Sequence, residues 1–146
     1  MKLTRVDFKV KTILVCVSKT WGIGKISTVT KKRISLEDCS RGYWRIVGSK
    51  KAPQCECLMA VSEGEIVGVW EIDKTKGNNG WMRPAQTPKK TWPEDRGLGC
   101  PRLGCELISP SRESPVIAEM RRKFRNMRVQ NIEGMDARGG VIHYNF

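Results

Sequence analysis

Two apolar runs, Glu56 to Ser62 and Glu65 to Ile72, are separated only by Glu63-Gly64. An acidic residue followed by glycine suits a two-residue hairpin turn with positive φ. The pattern therefore predicts an antiparallel strand pair here. In the second run Ile66, Gly68, Trp70 and Ile72 are expected on one face, with Val67, Val69 and Glu71 on the other. Both faces are largely apolar, which predicts a central strand. Gly68 leaves room for a close backbone approach or a small pocket. Trp70 either walls that pocket or fills the core.

Other elements assemble around this pair. Phe8 to Val17 begins with alternation and turns into a continuous apolar run, the pattern of a strand entering a buried sheet. Trp21-Gly22-Ile23-Gly24-Lys25 reads as a loop, and lacks the spacing of a phosphate-binding loop. Arg102 to Ile108 is expected as a strand. Ser114-Pro115 opens a helix, as a cap followed by proline at the first helical position. Along it Val116, Ile117, Met120, Phe124 and Met127 fall within one arc, and Arg121, Arg122 and Arg125 fall opposite. In the tail, Val141, His143 and Asn145 alternate with Ile142, Tyr144 and Phe146 as a closing strand.

Residues 73–101 are the irregular part. Pro84, Pro88, Pro93 and Pro101, with Gly77, Gly80, Gly97 and Gly99, break any long element. Arg83, Lys89 and Lys90 keep the stretch basic. Trp81 and Trp92 either pin it to the domain or stack on a ligand. The expectation is a partly ordered lid or binding loop within a single domain spanning 1–146.

The chain carries a net charge of +12, which favours a polyanionic partner, nucleic acid being the commonest. It has no apolar run of membrane-spanning length and no long apolar N-terminal region, so a cytoplasmic location and no membrane partner are expected. The six cysteines are then expected as thiols. Cys55 and Cys57, two apart on a strand, should point to one side. With Cys100 and Cys105 they fit no usual zinc spacing, so no metal is expected. His143, the sole histidine, has no recognisable triad partner, and no cofactor is implied.

The chemistry is expected to centre on Ser35 to Ile46. Ser35 caps a short helix with Asp38 as its capping-box partner. Leu36, Cys39 and Tyr43 share its apolar face, and Gly42 ends it in the left-handed conformation. Arg41, Tyr43, Trp44 and Arg45 cluster there, rings to stack on beside guanidinium groups that fork onto phosphate. The alternative reading is a packed Tyr-Trp pair with solvated arginines. Lys31, Lys32 and Arg33 before the helix, and Lys50 and Lys51 after it, are candidates to line one phosphate-tracking groove. Arg121, Arg122 and Arg125 form either a solvated helix face or a second phosphate-facing stripe.

Arg41-Gly42-Tyr43-Trp44-Arg45, then Lys50-Lys51-Ala52, Leu58-Met59-Ala60-Val61 and the strand Ile66 to Ile72 resemble a family of small PUA-like-fold proteins. That fold includes pseudouridine-synthase-type RNA-binding domains and the ASCH, EVE and YTH readers of RNA or modified bases. Asn126-Met127-Arg128 and Gly140 to Asn145 are similar to its closing strand. The likeness covers roughly half the chain, mostly 35–72, and finds nothing between Asp73 and Pro101. Ala137-Arg138-Gly139-Gly140 replaces the family's polar run before the last strand. The resemblance implies an α+β architecture, a PUA-like partly closed mixed β-barrel of about five to six strands with two or three flanking helices. It also implies a small pocket near the helix and central strands, where a base or nucleotide stacks.

Charge, the aromatic-arginine segment and the resemblance converge on a module that binds nucleic acid, DNA or RNA, or a modified nucleotide. Trp70 joins Arg41, Tyr43, Trp44 and Arg45 as its ligand-binding set. One alternative is a small phage or mobile-element protein that inhibits a host defence protein, so the partner becomes a protein. Another is a metal-dependent nuclease, for which Glu56, Glu63, Glu65, Glu71 and Asp73 offer no converging motif. The expectation is therefore not an enzyme.

Overall fold

The computed structural model describes residues 3–4, 7–24, 26, 31–42, 44, 49–82, 103–129, 132–133 and 142–146. The fold is mixed α+β. Its strands are β1 (Leu3–Thr4), β2 (Thr12–Cys16), β3 (Cys57–Ser62), β4 (Glu65–Glu71), β5 (Trp81–Met82), β6 (Gly104–Cys105), β7 (Ile132–Glu133) and β8 (Ile142–Tyr144), and its helices are α1 (Leu36–Arg41) and α2 (Pro115–Phe124). A four-stranded mixed sheet runs in the order β4-β3-β2-β8, and β1-β7 and β5-β6 form two small pairs. Among the described residues the sheets do not close into a barrel. No described helix is long and apolar enough to cross a membrane.

The hairpin forms as expected. Glu63 and Gly64 both take positive φ, 51° and 80°, the primed turn whose twist matches the flanking strands. β2 lies parallel to β3, and β8 antiparallel to β2, so the tail closes the sheet. Asn145 fixes that closure: its carboxamide accepts from the Thr12 N–H at 2.8 Å and donates to the Val10 carbonyl at 3.1 Å.

Both faces of the sheet are buried, which explains the continuous apolar runs. Ile13, Val15, Leu58, Ala60, Trp70 and Ile72 pack with Ile34 and Cys39 of the α1 region and with Trp81. Leu14, Cys57, Met59, Val61, Ile66 and Val69 pack beneath Ile117, Met120 and Phe124 of α2. Phe8 stacks on Phe124 at 4.3 Å. Pro115 opens α2 at the first helical position as expected, but Ser114, at the N-cap position, makes no side-chain capping bond, and its N–H goes to Glu71 Oε1 at 2.7 Å.

Several local expectations are corrected. Ile66 does not share a face with Trp70, because Ala60 pairs with Gly68 whereas Val61 pairs with Ile66. Val67 is therefore an extra residue in β4, a bulge that inverts the alternation. Among the described residues β4 is an edge strand, not a central one. It is buried because other backbone covers its rim: Asn126 and Met127 bond Ile66, Val129 bonds Gly64, and Ile108 bonds Glu71. Cys55 and Cys57 belong to opposite faces, since Cys55 precedes β3 as the end of a 3-10 turn. Gly42 ends α1 in extended backbone, φ 178°. Asp38 donates its N–H to Ser35 Oγ at 3.1 Å, but its carboxylate turns to Arg41.

Of the irregular stretch, residues 73–82 are described. Trp81 is pinned: it is buried, and its indole N–H donates to the Ala52 carbonyl at 3.1 Å. Arg83, Lys89, Lys90 and Trp92 lie outside the described residues.

Candidate ligand-binding hollow

At the expected centre at the end of α1, the reading of Arg41 is corrected. Arg41 is 0% exposed. Its guanidinium meets Asp38 at 2.5 Å and Glu106 at 3.5 Å. A cation removed from water needs such carboxylates, and these tie α1 to the segment after β6. Arg41 is therefore a packing element with its charge already matched, and does not face a phosphate. Trp44 is half-buried against the same core, and its indole N–H donates to the Ser40 carbonyl at 2.8 Å. Its backbone exchanges two hydrogen bonds with Leu103, each 2.9 Å. Tyr43 and Arg45 lie outside the described residues.

A hollow of about 170 Å³ does stand beside α1, at its other end. It is lined by Leu36, Val67, Gly68, Val69, Trp70, Arg121 and Arg125. Three local features create it. The bulge at Val67 bends the rim of β4. Gly68 has no side chain, and the Trp70 indole folds into the vacated space: a Cβ at Gly68 would lie 2.3 Å from the ring. Finally, among the described residues, the backbone covering the β4 rim reaches Gly64 to Ile66 at one end and Glu71 at the other, leaving Val67 to Trp70 between.

Arginines from α2 border this gap. Arg121 Nη2 donates to the Val69 carbonyl, and the same nitrogen lies 3.0 Å from Glu113 Oε2. Arg121 is thus fixed against the strand edge with its charge partly matched. Arg125 follows four positions later, on the same helical flank. It is exposed, and among the described residues its guanidinium makes no ion pair. The carboxyl of Glu113 is held above its ordinary range chiefly by burial, with Arg121 opposing and Glu71 adding to the shift.

This arrangement brings together Trp70, Arg121 and Arg125 and leaves the other described candidates elsewhere. Arg122 is exposed on α2 outside the lining. Lys31, Lys32 and Arg33 are exposed; Arg33 lies over the Trp21 ring at 5.3 Å and donates to its carbonyl at 2.7 Å. Lys50 and Lys51 are exposed near the tail, where Lys51 donates to the Phe146 main-chain oxygen at 2.5 Å. Leu36, Val67 and Val69 were not expected at a site. Gly68 was the one signal for them, because a glycine within a buried strand marks a bulge or a vacancy.

Trp70 is only 8% exposed, so it serves as an apolar wall and not as an open stacking platform. The hollow can hold a small flat or apolar group against Leu36 and Trp70, with an anion at Arg125. Among the described residues no three metal-ligating side chains come together. Comparisons with protein-family models, with curated proteins and with solved structures find no match for this chain.

Proposed function

We propose that the protein is a nucleic-acid or modified-nucleotide binding module, and that the hollow between Leu36, Gly68 and Trp70 receives part of its ligand. The observation that carries this reading is the exposed cation of Arg125 beside an apolar recess at a bulged strand edge. At about 170 Å³ the hollow is smaller than the pockets that enclose a whole drug-sized ligand. It suits one base or one phosphate, with the remainder of the ligand outside. The net charge of +12 supplies general attraction for a polyanion. We further propose that the described sheets belong to a PUA-like arrangement, and that the protein works in the cytoplasm as a reader and not as an enzyme.

The test is a filter-binding panel of single- and double-stranded DNA and RNA across salt, run on the wild type and on Arg125→Gln. A negative slope of log affinity against log salt supports phosphate contacts. Loss of about tenfold in affinity at Arg125→Gln, the size of one charge-assisted hydrogen bond, supports the hollow. No binding to any member at low salt overturns the reading and favours a protein target.

A further inference from the structure

A second cationic and aromatic cluster lies at the opposite edge of the sheet, on the β8 side. Tyr144 and Phe146 meet edge to face, with centroids 5.8 Å apart and planes at 72°. Both rings remain partly exposed. Asn145 is bonded to Val10 and Thr12, which holds the tail in place. Lys51 Nζ stands 5.4 Å from the Phe146 centroid and 5.6 Å from that of Tyr144. Lys11 Nζ stands 4.9 Å from the same Phe146 ring, and donates to Gln54 Oε1 at 2.7 Å.

Lys51 Nζ also donates to the Phe146 main-chain oxygen at 2.5 Å. Among the described residues none of Lys11, Lys50, Lys51 and Lys74 pairs with a side-chain carboxylate. Lys74, Lys11 and Lys51 all act on the buried Cys55 thiol, drawing its pKa down against the burial that pushes it up to about 12. Like charges gathered together repel, and a polyanion relieves that repulsion. Half-exposed rings set among the cations match a ligand that alternates phosphates with flat bases.

We propose that Lys11, Lys51, Tyr144 and Phe146 form a second site, for single-stranded nucleic acid, with phosphates at the lysines and a base against the tail rings. The site does not depend on the hollow, because it shares no residue with it. The test is fluorescence anisotropy of the full chain with a labelled oligouridylate roughly 12 nucleotides long, within the usual span of such sites. The variants are the double Lys11→Gln, Lys51→Gln; the double Lys11→Arg, Lys51→Arg; and Phe146→Leu. All side chains changed are exposed or half-exposed, and thermal melting verifies folding.

In the glutamine double variant the salt slope is expected to fall by about 1.4, from two lost phosphate contacts at about 0.7 each. The arginine double variant keeps the slope. Phe146→Leu loses about fivefold or more in affinity, the low end of one lost base stack, with the slope unchanged. An unchanged slope in the glutamine variant overturns the site. So does equal affinity for a duplex of the same length, or equal competition by polyglutamate. Failure of Arg125→Gln to alter binding, with these effects intact, removes the hollow and leaves this site standing.

Discussion

Trp70 and Tyr144 stand on one transverse row of the sheet: Trp70 pairs with Leu58, Leu58 with Ile13, and Ile13 with Tyr144. Both rings pack against the same core, three strand spacings apart, or about 14 Å. A hydrogen-bonded sheet fixes that separation, so the two proposed sites sit at the two edges of one platform. A single strand long enough to reach both should bind far more tightly than one that reaches either alone, by about 100-fold or more. Affinity measured against oligonucleotide length is expected to show one sharp step. A smooth rise with length would mean that the edges do not act together.

Gly68→Ala tests the origin of the hollow. The added methyl meets the Trp70 ring at 2.3 Å, so the indole must move. The expected cost is about 1–3 kcal/mol, typical of overpacking, read from urea denaturation. In a Trp70→Leu background the same change should cost much less. Equal costs in both backgrounds would show that the ring does not occupy the space above Gly68.

Arg41 is assigned to the fold and not to a ligand. Arg41→Met leaves the carboxylates of Asp38 and Glu106 without their shared cation, and should lose about 3 kcal/mol of stability. Adding Glu106→Gln should recover part of the loss. A variant as stable as the wild type would contradict the assignment.

Glu113 sets a pH dependence. Its folded pKa is raised, chiefly by burial, so the folded state holds this proton more tightly than the unfolded chain does. The stability it contributes is therefore fully present below the unfolded carboxyl pKa and is lost as pH rises through the folded one. Relative to Glu113→Gln, the wild type should lose stability as pH rises across that window. Parallel curves for the two proteins would count against a buried Glu113.

The buried thiols should be inert. Burial pushes Cys55 and Cys57 to about 12 and raises Cys105 further. Native alkylation near pH 8, read by peptide mapping, should leave these three unmodified until the chain unfolds.

Much of the frame was legible in the sequence. Strict alternation gave the tail strand, and a Glu-Gly pair between apolar runs gave the hairpin. The i, i+3, i+7 arc of Ile117, Met120 and Phe124 gave the buried face of α2. The hollow was only half legible. Gly68 and Trp70 marked a vacancy, but one extra residue at Val67 leaves no compositional trace and inverts the face of Ile66. Arg41 looked like a ligand group because arginines are rarely buried. One of its partners, Asp38, lies a helical turn away; the other, Glu106, arrives only through tertiary folding. Arg121 and Arg125 were visible as a cationic helix flank, yet only the packing of α2 beside the β4 rim brings them to Trp70.

The most direct measurement is an amide-resolved NMR titration of the isotopically labelled protein with a nucleoside 5′-monophosphate at low salt. Ligand in the hollow should shift the Gly68 and Val69 amides and the Trp70 indole N–H along one saturable curve, and Arg125→Gln should weaken that curve about tenfold. Saturable shifts elsewhere with Gly68, Val69 and Trp70 unmoved, or no shifts at all, would contradict the account.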